Sequence, residues 1–98
     1  MEQINRIRLM EECLDESRNA VDRLNAALDS YFAVRSKYMA LVEYYDDGQW
    51  RRDFDDDEAG KLPPDLKRGV LSEDAVWNLI EDHRAALERM KEILSNEE

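Results

Sequence analysis

Cysteine, histidine, proline and glycine are all scarce here: the 98 residues include 1 Cys, 1 His, 2 Pro and 3 Gly. A single cysteine, Cys13, forms no internal disulfide, so a reducing, cytoplasmic location is expected. One histidine and one cysteine make no tetrahedral zinc set within a chain. The di-iron bundle pattern needs two Glu-x-x-His motifs, and Ile80 stands where the Glu before His83 would be. Long apolar runs are missing as well. The longest runs from Tyr38 to Val42, whereas a bilayer-spanning helix needs about 20 residues. The opening MEQINRIRLM lacks the apolar core of a signal peptide. Positive charge is in the minority: 14 Lys and Arg face 24 Asp and Glu, for a net charge of -10. That balance opposes phosphate-directed nucleic-acid binding and docking on anionic membranes. No phosphate loop, dinucleotide fingerprint, nucleophile elbow or H-E-x-x-H motif is present. The expectations are no enzyme activity, no cofactor, no metal, no nucleic acid and no membrane.

What is present points to helices. Hydrophobic residues make up 43% of the chain, enough for one core, and charged residues 39%. The usual charged share is roughly 25%, and the excess needs the large solvated surface that helices supply. All three glycines (Gly48, Gly60, Gly69) and both prolines (Pro63, Pro64) lie between residues 48 and 69. Gly and Pro are the strongest helix breakers, so the chain reads as helix, irregular middle, helix, in one domain covering 1–98.

The first segment carries a heptad. With position a at Ile7, Leu14, Val21, Leu28, Arg35 and Val42, position d holds Met10, Ser17, Leu24, Tyr31, Tyr38 and Tyr45. Only Ser17 and Arg35 break the apolar or aromatic rule, which predicts a helix over about 2–46. The g positions Cys13, Ala20, Ala27, Val34 and Leu41 widen the stripe to three positions, as in a helix packed in a bundle. The phase never slips, which favours one continuous helix of about 66 Å. A break near Ser30 or Ser36 is the alternative, since serine caps new helices.

A short helix over about 49–58 would place Trp50 and Phe54 on one face. Gly60 and Pro63-Pro64 end it, and Leu62, Leu66, Val70 and Leu71 are apolar enough to pin the loop that follows. Ser72 reads as an N-cap, with Glu73 and Asp74 on the first turn and Leu71 stapled to Val76. That predicts a last helix over about 73–95, with a seam of Val76, Ile80, His83, Leu87, Met90 and Leu94. The fold class is all-α, an antiparallel helical bundle.

Each chemically suggestive cluster has a plainer explanation. Asp53, Asp55, Asp57 and Gly60 resemble a calcium loop, but counting from Asp53 or from Asp55 puts Pro64 or Leu66 where the closing Glu is needed. They read as a solvated acidic turn beside Arg51 and Arg52. His83 sits on the seam and reads as a satisfied, partly buried histidine bonding a tyrosine or carboxylate. Tyr31, Tyr38 and Tyr45, spaced by seven, suit either a recognition surface or a core edge with hydroxyls reaching water. Arg35 interrupts that row, and either stacks on a tyrosine, pairs with an acid, or extends out of the seam. Lys67 and Arg68 answer nearby acids; the alternative is an anion nest at a left-handed Gly69.

Tyr44-Tyr45, Trp50, Asp53 and the loop GKLPPDLKRGVLSED, together with the opening Met1-Glu2-Gln3-Ile4-Asn5-Arg6-Ile7, resemble a family of short bacterial proteins. That family is catalogued only as a domain of unknown function. The resemblance implies a small, all-helical, cytoplasmic protein, and brings no activity, cofactor or partner. The residues themselves favour a protein–protein interaction module, a homodimer with a further protein partner unspecified. Its candidate surface is Leu24, Leu28, Tyr31, Arg35, Tyr38 and Tyr45. An acidic decoy for a basic protein surface and a small-molecule-binding bundle are the competing classes. Against the decoy, acids alternate with Arg6, Arg8, Arg18 and Arg23 as on any solvated helix.

Overall fold

The computed structural model describes residues 1–97. Three α-helices form the chain: α1 (Glu2–Asp46), α2 (Gln49–Glu58) and α3 (Ala75–Asn96), with a 3₁₀ turn at Gly69–Leu71 before the last. No strand occurs among the described residues, so the all-α expectation holds. The chain separates into two units, Met1–Lys37 and Tyr38–Glu98, with the boundary inside α1. No described helix is long and apolar enough to cross a membrane.

α1 runs without a break through Ser30 and Ser36. Nothing in residues 1–47 obliges it to stop, because neither Gly nor Pro occurs there, and Glu2 in the first turn complements the helix dipole. The stop comes at Asp47-Gly48. Gly48 takes φ 93, a left-handed value that other residues resist. Asp47 then does the work of an N-cap for α2: its carboxylate accepts from the Gln49 backbone N–H at 2.9 Å and from Gln49 Nε2 at 2.8 Å.

α2 ends in a Schellman motif. Gly60, at φ 74, donates its N–H to Asp57 O, and Lys61 donates to Asp56 O, both at 3.0 Å. These two bonds satisfy carbonyls that the end of a helix otherwise orphans. The loop that follows is organised by one side chain. Arg68 is ion-paired with Asp57 and also donates to Pro63 O and, through Nε, to Leu66 O at 3.2 Å. Lys61 meets Asp56 at 3.8 Å.

The 3₁₀ turn packs on both α2 and α3. Each of these three elements carries one buried side chain, and they are the buried side chains of the described chain: Leu71 in the turn at 7% exposure, Trp50 in α2 at 7% and Val76 in α3 at 3%. Trp50 donates its indole N–H to Val70 O at 2.7 Å, so the one polar atom of the ring is satisfied where the ring is buried. Of the loop residues expected to pin this segment, Leu71 is buried and Leu62 half-buried. Leu66 and Val70 remain 46% and 39% exposed.

The start of α3 differs from expectation. Ser72 is not its N-cap and residue 73 is not its first residue: the helix begins at Ala75 behind Asp74. Ser72 instead closes the 3₁₀ turn, in an extended conformation, with its hydroxyl donating to Gly69 O at 3.0 Å. Ser72 belongs to the turn behind it, and Asp74 stands at the N-cap position of α3. Leu71 consequently belongs to the 3₁₀ turn rather than to a staple across the helix start. Gly69 lies within that turn and has no left-handed φ, so it forms no anion nest.

Candidate interaction surface

Residues 38–97 hold an aromatic nucleus. Trp50 and Phe54 stack with ring centroids 5.0 Å apart at 19°, as their spacing of four on one helix face demands. Tyr45 meets Trp50 edge-on at 5.1 Å and 60°, and the Arg51 guanidinium lies 5.5 Å over the Phe54 ring. Tyr38 of α1 stacks on His83 of α3, centroids 4.3 Å apart at 26°. His83 is half-buried as expected, and its contact with a tyrosine is a ring stack.

Tyr44, on the next face of α1, donates its hydroxyl to Asp53 at 2.6 Å. Burial, then the hydrogen bond to Asp53 and the negative charges of Asp53 and Asp47, push its phenol from 10.0 up to about 12. Each effect disfavours a phenolate: low polarity opposes any charge, and the carboxylates oppose a negative one.

The acids that resemble a calcium loop are spent in this network. Asp53 accepts from Tyr44, Asp55 meets Arg51 at 3.5 Å, and Asp57 pairs with Arg68. All three stand on α2, and among the described residues no three His, Cys, Asp or Glu side chains converge as metal ligands would.

Residues 1–37 present a different surface. Along this part of α1 the a and d side chains Ile7, Met10, Leu14, Val21 and Leu24 are 52%, 51%, 60%, 43% and 54% exposed. Among the charged residues beside them, Arg18 and Asp22 form an i,i+4 pair at 3.7 Å, open to water on both sides. Cys13 is exposed.

The six surface candidates divide between these two settings. Leu24, Leu28, Tyr31 and Arg35 lie in residues 1–37. Leu28 and Tyr31 are half-buried and Arg35 exposed, and Tyr31 meets Phe32 edge-on with centroids 5.6 Å apart. Tyr38 and Tyr45 have their rings engaged by His83 and Trp50. The exposed apolar stripe thus begins further toward the N-terminus than that set, at Ile7. The heptad already marked Ile7, Met10, Leu14 and Val21, but periodicity carries no information on which part of a stripe finds a cover within the chain. Arg68 answers an acid as expected, but that the acid is Asp57, that Arg68 also clasps the loop carbonyls, and that Tyr44 bonds Asp53 carry no local signal, because each pairing joins residues of different elements.

No curated protein and no solved structure matches the chain. The family model for a domain of unknown function, DUF4298, matches residues 7–93. That span takes in nearly all of α1, the GKLPPDLKRGVLSED loop and most of α3, and the chain belongs to the DUF4298 family.

Proposed function

We propose that this chain is a non-enzymatic, cytoplasmic protein–protein interaction module whose binding element is the apolar stripe of α1 and whose first partner is a second copy of itself. The observation that carries this reading is the exposure along one continuous helix. α1 has no buried residue, yet its a and d side chains from Ile7 to Leu24 are apolar at every position but Ser17 and 43–60% exposed.

Two physical arguments support it. Helices in water draw most of their stability from packing an amphipathic face rather than from propensity, and residues 1–37 are helix from Glu2 onward. Contiguous exposed apolar strips are also uncommon on soluble monomers and mark interfaces. Covering the exposed half of each of these side chains is worth about 1 kcal/mol, and a twofold pairing covers them on both copies at once.

Light scattering after size exclusion, across a hundredfold dilution series, tests the reading. The expected mass at the concentrated end is twice 11.6 kDa, with little dependence on salt. Leu24→Glu should return the single-chain mass, with any loss of α-helical circular dichroism confined to residues 1–37. A single-chain mass throughout the series would overturn it. A salt-sensitive complex with an added basic protein, without self-association, would instead favour the acidic decoy.

A further inference from the structure

Resting on that reading, we infer that the two copies of α1 pair antiparallel, in one register selected by charge: Glu11 of each copy against Arg18 of the other. In antiparallel two-helix packing an a residue faces a d residue of the partner helix, and the flanking e positions meet one another. One register sets Ile7 against Leu24, Met10 against Val21, and Leu14 against Ser17 of the second copy, each contact occurring twice by symmetry. All five apolar members of these layers are between 43% and 60% exposed. The e edge then brings Glu11 to Arg18 twice, and the g edge brings Cys13 to Ala20, small side chains that let the backbones approach.

The neighbouring registers fail on the same residues. A slip of one heptad in one direction puts Arg18 against Arg18, and in the other direction Glu11 against Glu11. A parallel, in-register pair gains Arg6 against Glu11 but places Arg35 against Arg35 at a seam position, where like charges meet out of water. The antiparallel register ends at Leu28 and leaves Arg35 outside. It also leaves out Tyr38, whose ring is already stacked on His83. The Arg18–Asp22 pair does not compete: it is a surface contact with both side chains about two-thirds exposed, at 64% and 65%, of the kind worth little.

Cysteine cross-linking on the full chain decides the orientation. Met10→Cys and Val21→Cys are each made with Cys13→Ala, then refolded alone or mixed, oxidised, and run without reductant, with light scattering on the same samples before oxidation. The mixed sample should give a covalent dimer and neither single variant should. Self-cross-linking of Met10→Cys would overturn the antiparallel pairing in favour of the parallel one. A dimeric mass with no mixed cross-link would overturn the register while leaving self-association intact. A single-chain mass would remove both. Independently, Glu11→Arg should weaken dimerisation about tenfold, and adding Arg18→Glu should restore it. A double variant no tighter than Glu11→Arg alone would break the charge argument.

Discussion

Trp50, Leu71 and Val76 are the buried side chains of the described chain, and all three lie in residues 38–97. Residues 1–37 contain none, although their stripe of Ile7, Met10, Leu14, Val21 and Leu24 is as regular as any in the molecule. The contrast separates pattern from burial. In the second unit the chain reverses at Gly48 and Gly60, and the 3₁₀ turn lays Leu71 and the Val70 carbonyl against α2. Burial there is made by side chains from several elements meeting. In the first unit a single helix supplies every residue, and a helix does not cover its own face.

If that contrast is sound, removing bulk should matter far more in one unit than in the other. Trp50→Ala deletes the ring that Tyr45 and Phe54 pack on, and the bond to Val70 O. It should cost about 3–5 kcal/mol in a urea or guanidinium denaturation midpoint. Leu14→Ala, on a side chain 60% exposed, should cost well under about 1 kcal/mol at high dilution, with an effect that grows with protein concentration. Equal costs at high dilution would erase the distinction between the units.

Arg68→Ala tests whether one side chain holds the loop. It breaks the ion pair to Asp57 and two bonds to loop carbonyls, and should cost about 2 kcal/mol. Amide exchange should rise across residues 61–68 and stay unchanged in residues 1–37. Uniform loss of protection would show that the loop is not a separate cooperative element.

A smaller effect distinguishes the two serine assignments. As a helix cap, Ser72 would be worth about 1 kcal/mol; closing a solvent-exposed 3₁₀ turn, its hydroxyl should be worth about 0.5 kcal/mol. Ser72→Ala should also leave α3 helicity unchanged, read by the Cα chemical shifts of residues 75–78. Loss of helical shifts there would restore Ser72 as the cap.

The last effect is confined to high pH. The Tyr44 phenol sits at about 12 against 10.0, so the folded chain keeps a proton that the unfolded chain loses. That contribution is whole below pH 10, and stability falls as pH rises from 10 to about 12. Tyr44→Phe should flatten this decline, followed as the denaturation midpoint against pH. An unchanged slope in the variant would assign the decline to other groups.

Much of this molecule was legible without coordinates. The heptad from Ile7 to Tyr45, with no Gly or Pro before residue 48, sufficed for one helix over 2–46, because apolar periodicity and the absence of breakers are local properties. The spacing of Trp50 and Phe54 and the position of Gly60 likewise sufficed for α2 and its end. Ser72 was misread for a physical reason: a cap needs its side chain to point forward, and whether it does depends on the 3₁₀ turn behind it, which Leu71 and the Trp50–Val70 bond hold in place. Arg68 with Asp57, Tyr44 with Asp53, and Tyr38 with His83 lie 11, 9 and 45 residues apart along the sequence. Nothing local selects those partners, since many acids and rings are equally available to each. Sequence alone therefore determined the helices and the stripe that α1 offers. The tertiary structure decided where burial occurs, because it is made where several elements meet, as α2, the 3₁₀ turn and α3 do within residues 38–97, while residues 1–37 hold no buried side chain.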